Sequence, residues 1–301
     1  MSDLAAGLVR TRVTSPAAIA EALARRSCRD HVTEGTGTLF LIAADHPARG
    51  QLTIGADRLA MADRGDLLRR LLLALGRPGV DGVMATADIV EDLALLGALE
   101  DKVVFGSMNR GGLAGSCFEL DDGFTGYTAA AIARDRLDGG KMMVRIDDQD
   151  PGTLRTLEGC ARAIDELAAF RLPALLEVFP VRREGGGVRA VRDPSAMARA
   201  ITIVSGLGGT SAYTWLKLPV GEDMDEVLAA TTLPTFLLGG DPGKGAEVPF
   251  ARWERAMGYP QVRGLVAGRA LLYPADGDVA HAVDQAAAIV DARRRSMREA
   301  G

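Results

Sequence analysis

The chain has 301 residues, 48% hydrophobic and 25% charged, and a net charge of −5. That apolar content excludes a disordered chain. The acidic balance excludes a general grip on nucleic acid, which needs a basic field.

Three scattered cysteines, Cys28, Cys117 and Cys160, are too few for a disulfide framework or a zinc site, and they fit a reduced, cytoplasmic setting. Residues 1–15 lack the apolar run of a secretory signal, so none is expected. No apolar stretch approaches the roughly 20 residues that span a bilayer. Only Lys102, Lys141, Lys217 and Lys244 among the 35 basic residues are lysines, so each lysine's place is informative.

Residues 1–38 read as an N-terminal helical extension. Ser15-Pro16 has the pattern of an N-cap and first helical position, with the helix running to about Arg26 and closing the bottom of the fold. Residues 39–301 read as a single domain. Short, mostly continuous apolar runs mark eight strands: Leu39–Ala44, Gly82–Ala85, Val103–Ser107, Met142–Ile146, Ala174–Val178, Thr214–Leu218, Thr235–Leu238 and Gly264–Val266. Continuous runs fit a parallel sheet covered by helices.

Helical patterns fall between the strands. Leu154, Leu157, Ile164 and Leu167 recur after Asp150-Pro151; Asp193-Pro194-Ser195 opens a second helix, and 278–295 is the last. The Gly185–Gly187 run reads as a loop between strand five and its helix. Eight βα units over roughly 250 residues predict a closed (β/α)8 TIM barrel in the α/β class. The competing doubly wound sheet lacks its G-x-G-x-x-G after the first strand.

Barrel chemistry gathers at the C-terminal ends of strands. On strand six, alternation puts Tyr213, Trp215 and Lys217 on one face. An inward Lys217 beside an indole should titrate below about 10.4, giving the neutral amine that Schiff-base chemistry needs. The alternative is a lysine that snorkels to water. On strand four, Lys141, Met143, Arg145 and Asp147 share a face. Lys141 is either a second inward cation or a solvent-facing strand start. Glu177 is the lone carboxylate in the run of strand five; it is either an acid/base or a structural ion-pair partner. Asp45 ends strand one, as a site group or as a turn cap. His46, with His31 and His281 far away in sequence, makes a histidine metal site improbable and none is expected. The glycine-rich turns after the last two strands, 238–244 and 266–270, suit a phosphate, with Arg269 as a clamp.

These residues resemble class I, Schiff-base aldolases of the deoxyribose-phosphate and tagatose-bisphosphate aldolase superfamily. The carrying segments are LIAADHPARG, GGKMMVRIDDQDP, PALLEVFPV, AYTWLKLPV, PTFLLGGDPG and GLVAGRALLYP, in the family's order. The chain looks most similar to an aldolase-like protein associated with inositol catabolism. The resemblance implies catalytic roles for Lys217, Lys141, Glu177 and Asp45: Lys217 as Schiff-base nucleophile, Lys141 beside it, Glu177 shuttling protons and Asp45 touching imine or substrate hydroxyls. It implies substrate binding by Arg269, Gly268, Gly239 and Gly240 at a phosphate, with Arg145 and Trp215 on the inward faces. It implies a carbon–carbon lyase with no cofactor. The expected reaction cleaves a phosphorylated ketose or keto-sugar acid to dihydroxyacetone phosphate and an aldehyde, with 6-phospho-5-dehydro-2-deoxygluconate as a candidate. Alternatives are a deoxyribose-phosphate-type aldolase or a non-catalytic sugar-phosphate-binding regulator. The expected partner is a small-molecule sugar phosphate, not nucleic acid or membrane. Barrels of this class often form homo-oligomers, but no interface signature stands out.

Overall fold

A computed structural model describes residues 3–29, 32, 37–185, 187–221, 223–239 and 250–299. Eight parallel strands close into a (β/α)8 barrel: β1 (Leu39–Ala43), β2 (Gly82–Ala85), β3 (Val103–Ser107), β4 (Gly139–Ile146), β5 (Ala174–Glu184), β7 (Thr214–Pro219), β8 (Thr235–Leu238) and β9 (Val262–Ala267). Closure comes from the β1–β9 pairing, with Leu39 opposite Gly264 and Leu41 opposite Val266.

The expected strands are all present, some longer than their apolar runs. The largest difference is at β5. It runs on to Glu184 and turns at Gly185 (φ 57°) into β6 (Gly187–Ala190), pairing antiparallel. The expected loop is therefore the tip of a hairpin. The polar segment Arg182–Glu184 hid it, because pairing there depends on the partner strand and not on an apolar run.

Outside the barrel lie α3 (Arg64–Leu75), α4 (Ala87–Leu95), α5 (Ala129–Arg134), α6 (Gly152–Ala169), α7 (Pro194–Ser205), α8 (Met224–Ala229), α9 (Phe250–Ala256), α10 (Arg269–Leu272) and α11 (Val279–Glu299). Asp193 caps α7 by accepting from Ala196 N at 3.0 Å, as its Asp-Pro-Ser signal implies. None of the helices among the described residues is long and apolar enough to cross a membrane.

Two helices precede the barrel, α1 (Asp3–Thr14) and α2 (Ala17–Arg25). Ser15 does not cap α2. Its N–H donates to Thr11 O at 2.8 Å, so it closes the last turn of α1, and Pro16 takes the cap position without a side-chain bond. Leu8 and Leu23 join the outer core. Beyond α2, Arg26 and Arg29 reach the N-terminal ends of the strands. Arg26 donates to Lys102 O at 3.1 Å, and Arg29 pairs with Asp81 at 2.9 Å. Asp81 also accepts from Phe40 N at 2.7 Å and pairs with Arg294 of α11, tying both ends of the chain to β1.

Two apolar layers position the site. Between barrel and helices lies the large outer core. Inside the barrel, Leu39, Leu41, Met84, Val103, Phe105, Leu175, Phe236 and Val266 pack with Trp215. Phe105 and Phe236 rings lie 5.8 and 5.3 Å from the Trp215 ring, making a dry aromatic floor.

Gly264 permits the closure. Its φ is +136°, and a Cβ there would lie 1.8 Å from Leu39 O. Gly264→Ala should therefore force β1 and β9 apart. The expected loss is at least about 1–3 kcal/mol, the usual cost of overpacking, read as a lower denaturant midpoint. An unchanged midpoint would show that the two strands are not pressed together there.

Candidate active site

Lys217 stands two residues above Trp215 on β7, and strand alternation points both inward. Register places Glu177 of β5 directly beside Lys217. The Lys217 Nζ donates to Glu177 Oε1 at 2.6 Å. The other carboxylate oxygen pairs with Lys141 Nζ. Two amines thus share one carboxylate above an apolar floor.

Lys141 is an inward residue, not a solvent-facing strand start. β4 begins at Gly139, three residues earlier than its apolar run suggests, and the barrel's stagger sets Lys141 opposite Ser107 at the end of β3. Lys141 is 0% exposed and Lys217 2%. Lys141 also donates to Asp45 Oδ2 at 2.9 Å, and Ser107 Oγ donates to the same oxygen at 3.0 Å. Asp45 thereby links β1, β3 and β4.

The electrostatics follow from this packing. Burial lowers the pKa of Lys217 and the nearby Lys141 cation lowers it further, against the opposing pull of Glu177. Burial pushes Glu177 up, but Lys141 and Lys217 overcome it and hold the carboxyl well below its usual range. Asp45 behaves likewise: burial raises it, and Arg110 and Lys141 bring it well below the ordinary value. His46, half-buried next to Asp45, has its Nδ1 enclosed without a hydrogen-bond partner among the described residues. Burial pushes its pKa down to about 3, helped by Arg269 and Lys217 against Asp45, so the imidazole is neutral at physiological pH.

The remaining expected residues divide. Gly268 lies against β1, where a Cβ would meet Ala43 O at 2.2 Å and His46 Cε1 at 3.0 Å. Arg269, next in the chain, opens α10. Gly239 directly follows β8, and a Cβ there would meet Trp253, Ala267 and Ala270. Gly240 lies outside the described residues. Trp215 belongs to the floor beneath the lysines. Arg145 points inward but is already engaged: its guanidinium binds both oxygens of Asp122 at 2.9 Å, and it pairs with Glu119 at 3.3 Å.

Several residues of this region carried no signal of their own. Asn109 bonds the backbone of Met143 in both directions at 2.7 Å, extending the β3–β4 ladder. Arg110 pairs with Asp45 at 3.3 Å, and Arg49 is buried on the turn after β1. The usable clue for Asn109 and Arg110 was position, immediately beyond the C-terminal end of a strand. Among the described residues, no group of three or more His, Cys, Asp or Glu is arranged to hold a metal ion.

The elements that carry this arrangement are those of a (β/α)8 barrel. The chain is a member of the Cgl0159-like family, whose model matches residues 37–287. It is 48% identical to Cgl0159 from Corynebacterium glutamicum (Brevibacterium flavum), with a TM-score of 0.93 and coverage of 97% of this chain and 98% of that one. An archaeal fructose-1,6-bisphosphate aldolase, with its catalytic Lys covalently bound to the carbinolamine intermediate of the substrate, is 18% identical; the TM-score is 0.59, with 90% and 99% covered. Fructose-bisphosphate aldolase from Slackia heliotrinireducens is 14% identical, at a TM-score of 0.57, with 93% and 92% covered. At these lower identities the likeness is one of fold. No curated protein matches the chain.

A lowered Lys217 pKa means that the ammonium loses its proton at a lower pH than a free lysine does. The Nζ resonance of Lys217 in a ¹⁵N-lysine-labelled sample should titrate below about 10.4, with a midpoint that belongs to the coupled Lys217–Glu177–Lys141 cluster. A midpoint at or above that value would show that Glu177 outweighs burial.

Proposed function

We propose that this chain is a class I aldolase that forms a Schiff base on Lys217 and cleaves a phosphorylated ketose or keto-sugar acid. The carrying observation is the buried carboxylate shared by two lysines, with Lys217 Nζ 2.6 Å from Glu177 and Lys141 on the other oxygen. A shared, enclosed carboxylate lets one amine give up a proton while the neighbouring ammonium keeps the cluster's charge balanced.

The neutral Lys217 amine adds to the ketone carbon. Its proton passes through Glu177 to the former carbonyl oxygen, giving a carbinolamine. Lys141 supplies a second proton to that hydroxyl, which leaves as water, and an iminium ion remains. The bond between the carbons α and β to the iminium carbon breaks; its electron pair forms the C=C bond as the C=N pair moves to nitrogen, giving an enamine. The hydroxyl proton of the departing half moves to Glu177 as that half becomes an aldehyde. The enamine is reprotonated at carbon, and water releases the ketone product and restores Lys217. Asp45 fixes Lys141 and borders the substrate hydroxyls. Gly268, Arg269 and the turn at Gly239 hold the phosphate of the ketone half. Dihydroxyacetone phosphate is the ketone product that suits this layout, and 6-phospho-5-dehydro-2-deoxygluconate is the candidate substrate.

Incubation with dihydroxyacetone phosphate and borohydride should add one reduced adduct, mapped by mass spectrometry to Lys217. An adduct on Lys141 would exchange the two lysines' roles, and no adduct with any carbonyl compound would remove the mechanism. Glu177→Gln should lower turnover by about 10²–10⁴-fold, the usual cost of losing a general acid/base, with substrate affinity largely kept. Near-normal turnover in a protein that merely melts earlier would make Glu177 a structural partner only.

A further inference from the structure

Two arginines that no step above employs lie near one another, and one of them, Arg110, pairs with Asp45. Arg49 ends the short 3-10 turn Pro47–Arg49 after β1, and Arg110 follows β3. They are 2% and 5% exposed. Arg110 Nη2 donates to the Asp45 carbonyl oxygen at 2.5 Å. Its Nη1 lies 3.3 Å from Asp45 Oδ2, yet Nη1 and Nε both lack a hydrogen-bond partner among the described residues. Arg49 Nε donates to Gly112 O at 2.8 Å, and Nη1 faces Met143 Sδ at 3.0 Å. Its Nη2 has no hydrogen-bond partner among the described residues, and Glu119 Oε1 stays 3.8 Å away.

Arg145 shows what a structural guanidinium looks like in this same region, with Asp122 and Glu119 occupying its fork. Three buried nitrogens left open on two neighbouring guanidiniums are a different matter, since a buried donor without a partner is destabilising. The charges are also crowded. Burial and the nearby Arg145 and Arg110, against Asp122 and Glu119, bring Arg49 down to about 10. An incoming anion would satisfy the open donors and relieve the crowding together. Arg110 Nη1 is 3.3 Å from the carboxylate oxygen that also binds Lys141, so the place adjoins the lysine pair. It lies on the β3 side of the β1 end, whereas Arg269 lies on the β9 side.

We propose that Arg49 and Arg110 form a second anion subsite, which takes a carboxylate or phosphate on the half of the substrate that departs as the aldehyde. The assignment to that half rests on the aldolase reading; the anion site itself does not. The substrate class is then an acyclic sugar derivative with an anionic group at each end, bridging Arg269 and the Arg49–Arg110 pair across Lys217.

Calorimetric titration with glycerate, glycerol 1-phosphate and glycerol separates the two anion chemistries from a neutral control. Wild-type protein should bind at least one of the two anions and not glycerol. Arg110→Gln and Arg49→Gln should each weaken that binding by about ten- to a hundredfold, the equivalent of a hydrogen bond to a charged group. Arg269→Ala should leave it in place, and so should Lys217→Ala, which separates this subsite from Schiff-base chemistry. Because Arg110 also holds Asp45, melting curves accompany each variant. If Arg110→Gln does not fold, Arg49→Lys, which keeps the charge and loses the fork, serves as the second variant and should show the weakening. Wild-type protein that binds neither anion would overturn the proposal. So would anion binding that Arg269→Ala abolishes and the Arg49 and Arg110 variants leave unchanged.

Discussion

The site depends on one carboxylate that holds two lysines apart and together at once. Glu177 accepts from Lys217 with one oxygen and pairs with Lys141 through the other, in a barrel mouth whose floor is aromatic. Without it, two ammonium groups would face each other in a medium where like charges repel strongly and water cannot screen them. With it, one negative charge is shared by two positive ones, and Lys217 is the amine whose protonation burial disfavours. Asp45 completes the balance from β1, pairing with Lys141 at 2.9 Å and Arg110 at 3.3 Å. The cluster therefore joins residues from β1, β4, β5 and β7 and the end of β3. It forms only when those strands adopt their barrel register.

The barrel in turn fixes that register through close backbone approach. Gly264 lets β9 press on Leu39, and Gly268 lets the turn beyond β9 press on Ala43, with no room for a Cβ at either place. Both contacts fall on β1, the strand that leads into Asp45 and His46. The same closure that seals the sheet thus sets the height of Asp45 relative to Lys141, and brings His46 beside Gly268. Packing and chemistry are here consequences of a single constraint.

Sequence patterns reveal local quantities well and nonlocal ones poorly. The barrel strands were legible because strands buried on both faces are continuous apolar runs. Lys217 was legible because alternation from Trp215 sets its direction. Lys141 was ambiguous for a physical reason: whether a residue near a strand start faces the floor or the mouth depends on the stagger against β3, and no single strand contains that information. The β5–β6 hairpin was missed because polar residues pair there through backbone alone. Arg145 illustrates a third limit. Its inward direction was readable, but its partners Glu119 and Asp122 come from the long segment between β3 and α5, where no periodicity predicts which side chains turn inward.

That segment explains how the inward arginines differ in what they have left to offer. Arg145 is paired with two carboxylates supplied by the segment between β3 and α5, and its charge is spent on holding that segment against β4. Arg49 receives from the same segment a backbone carbonyl, Gly112 O, and only a distant carboxylate. Arg110 receives Asp45, which is already shared with Lys141 and Ser107. A backbone carbonyl and a shared carboxylate anchor a guanidinium without neutralising it. The segment between β3 and α5 thus satisfies one arginine fully and positions two others with donors still open. A guanidinium anchored in this way is held rigidly and keeps donors for an anion, as the proposed subsite requires.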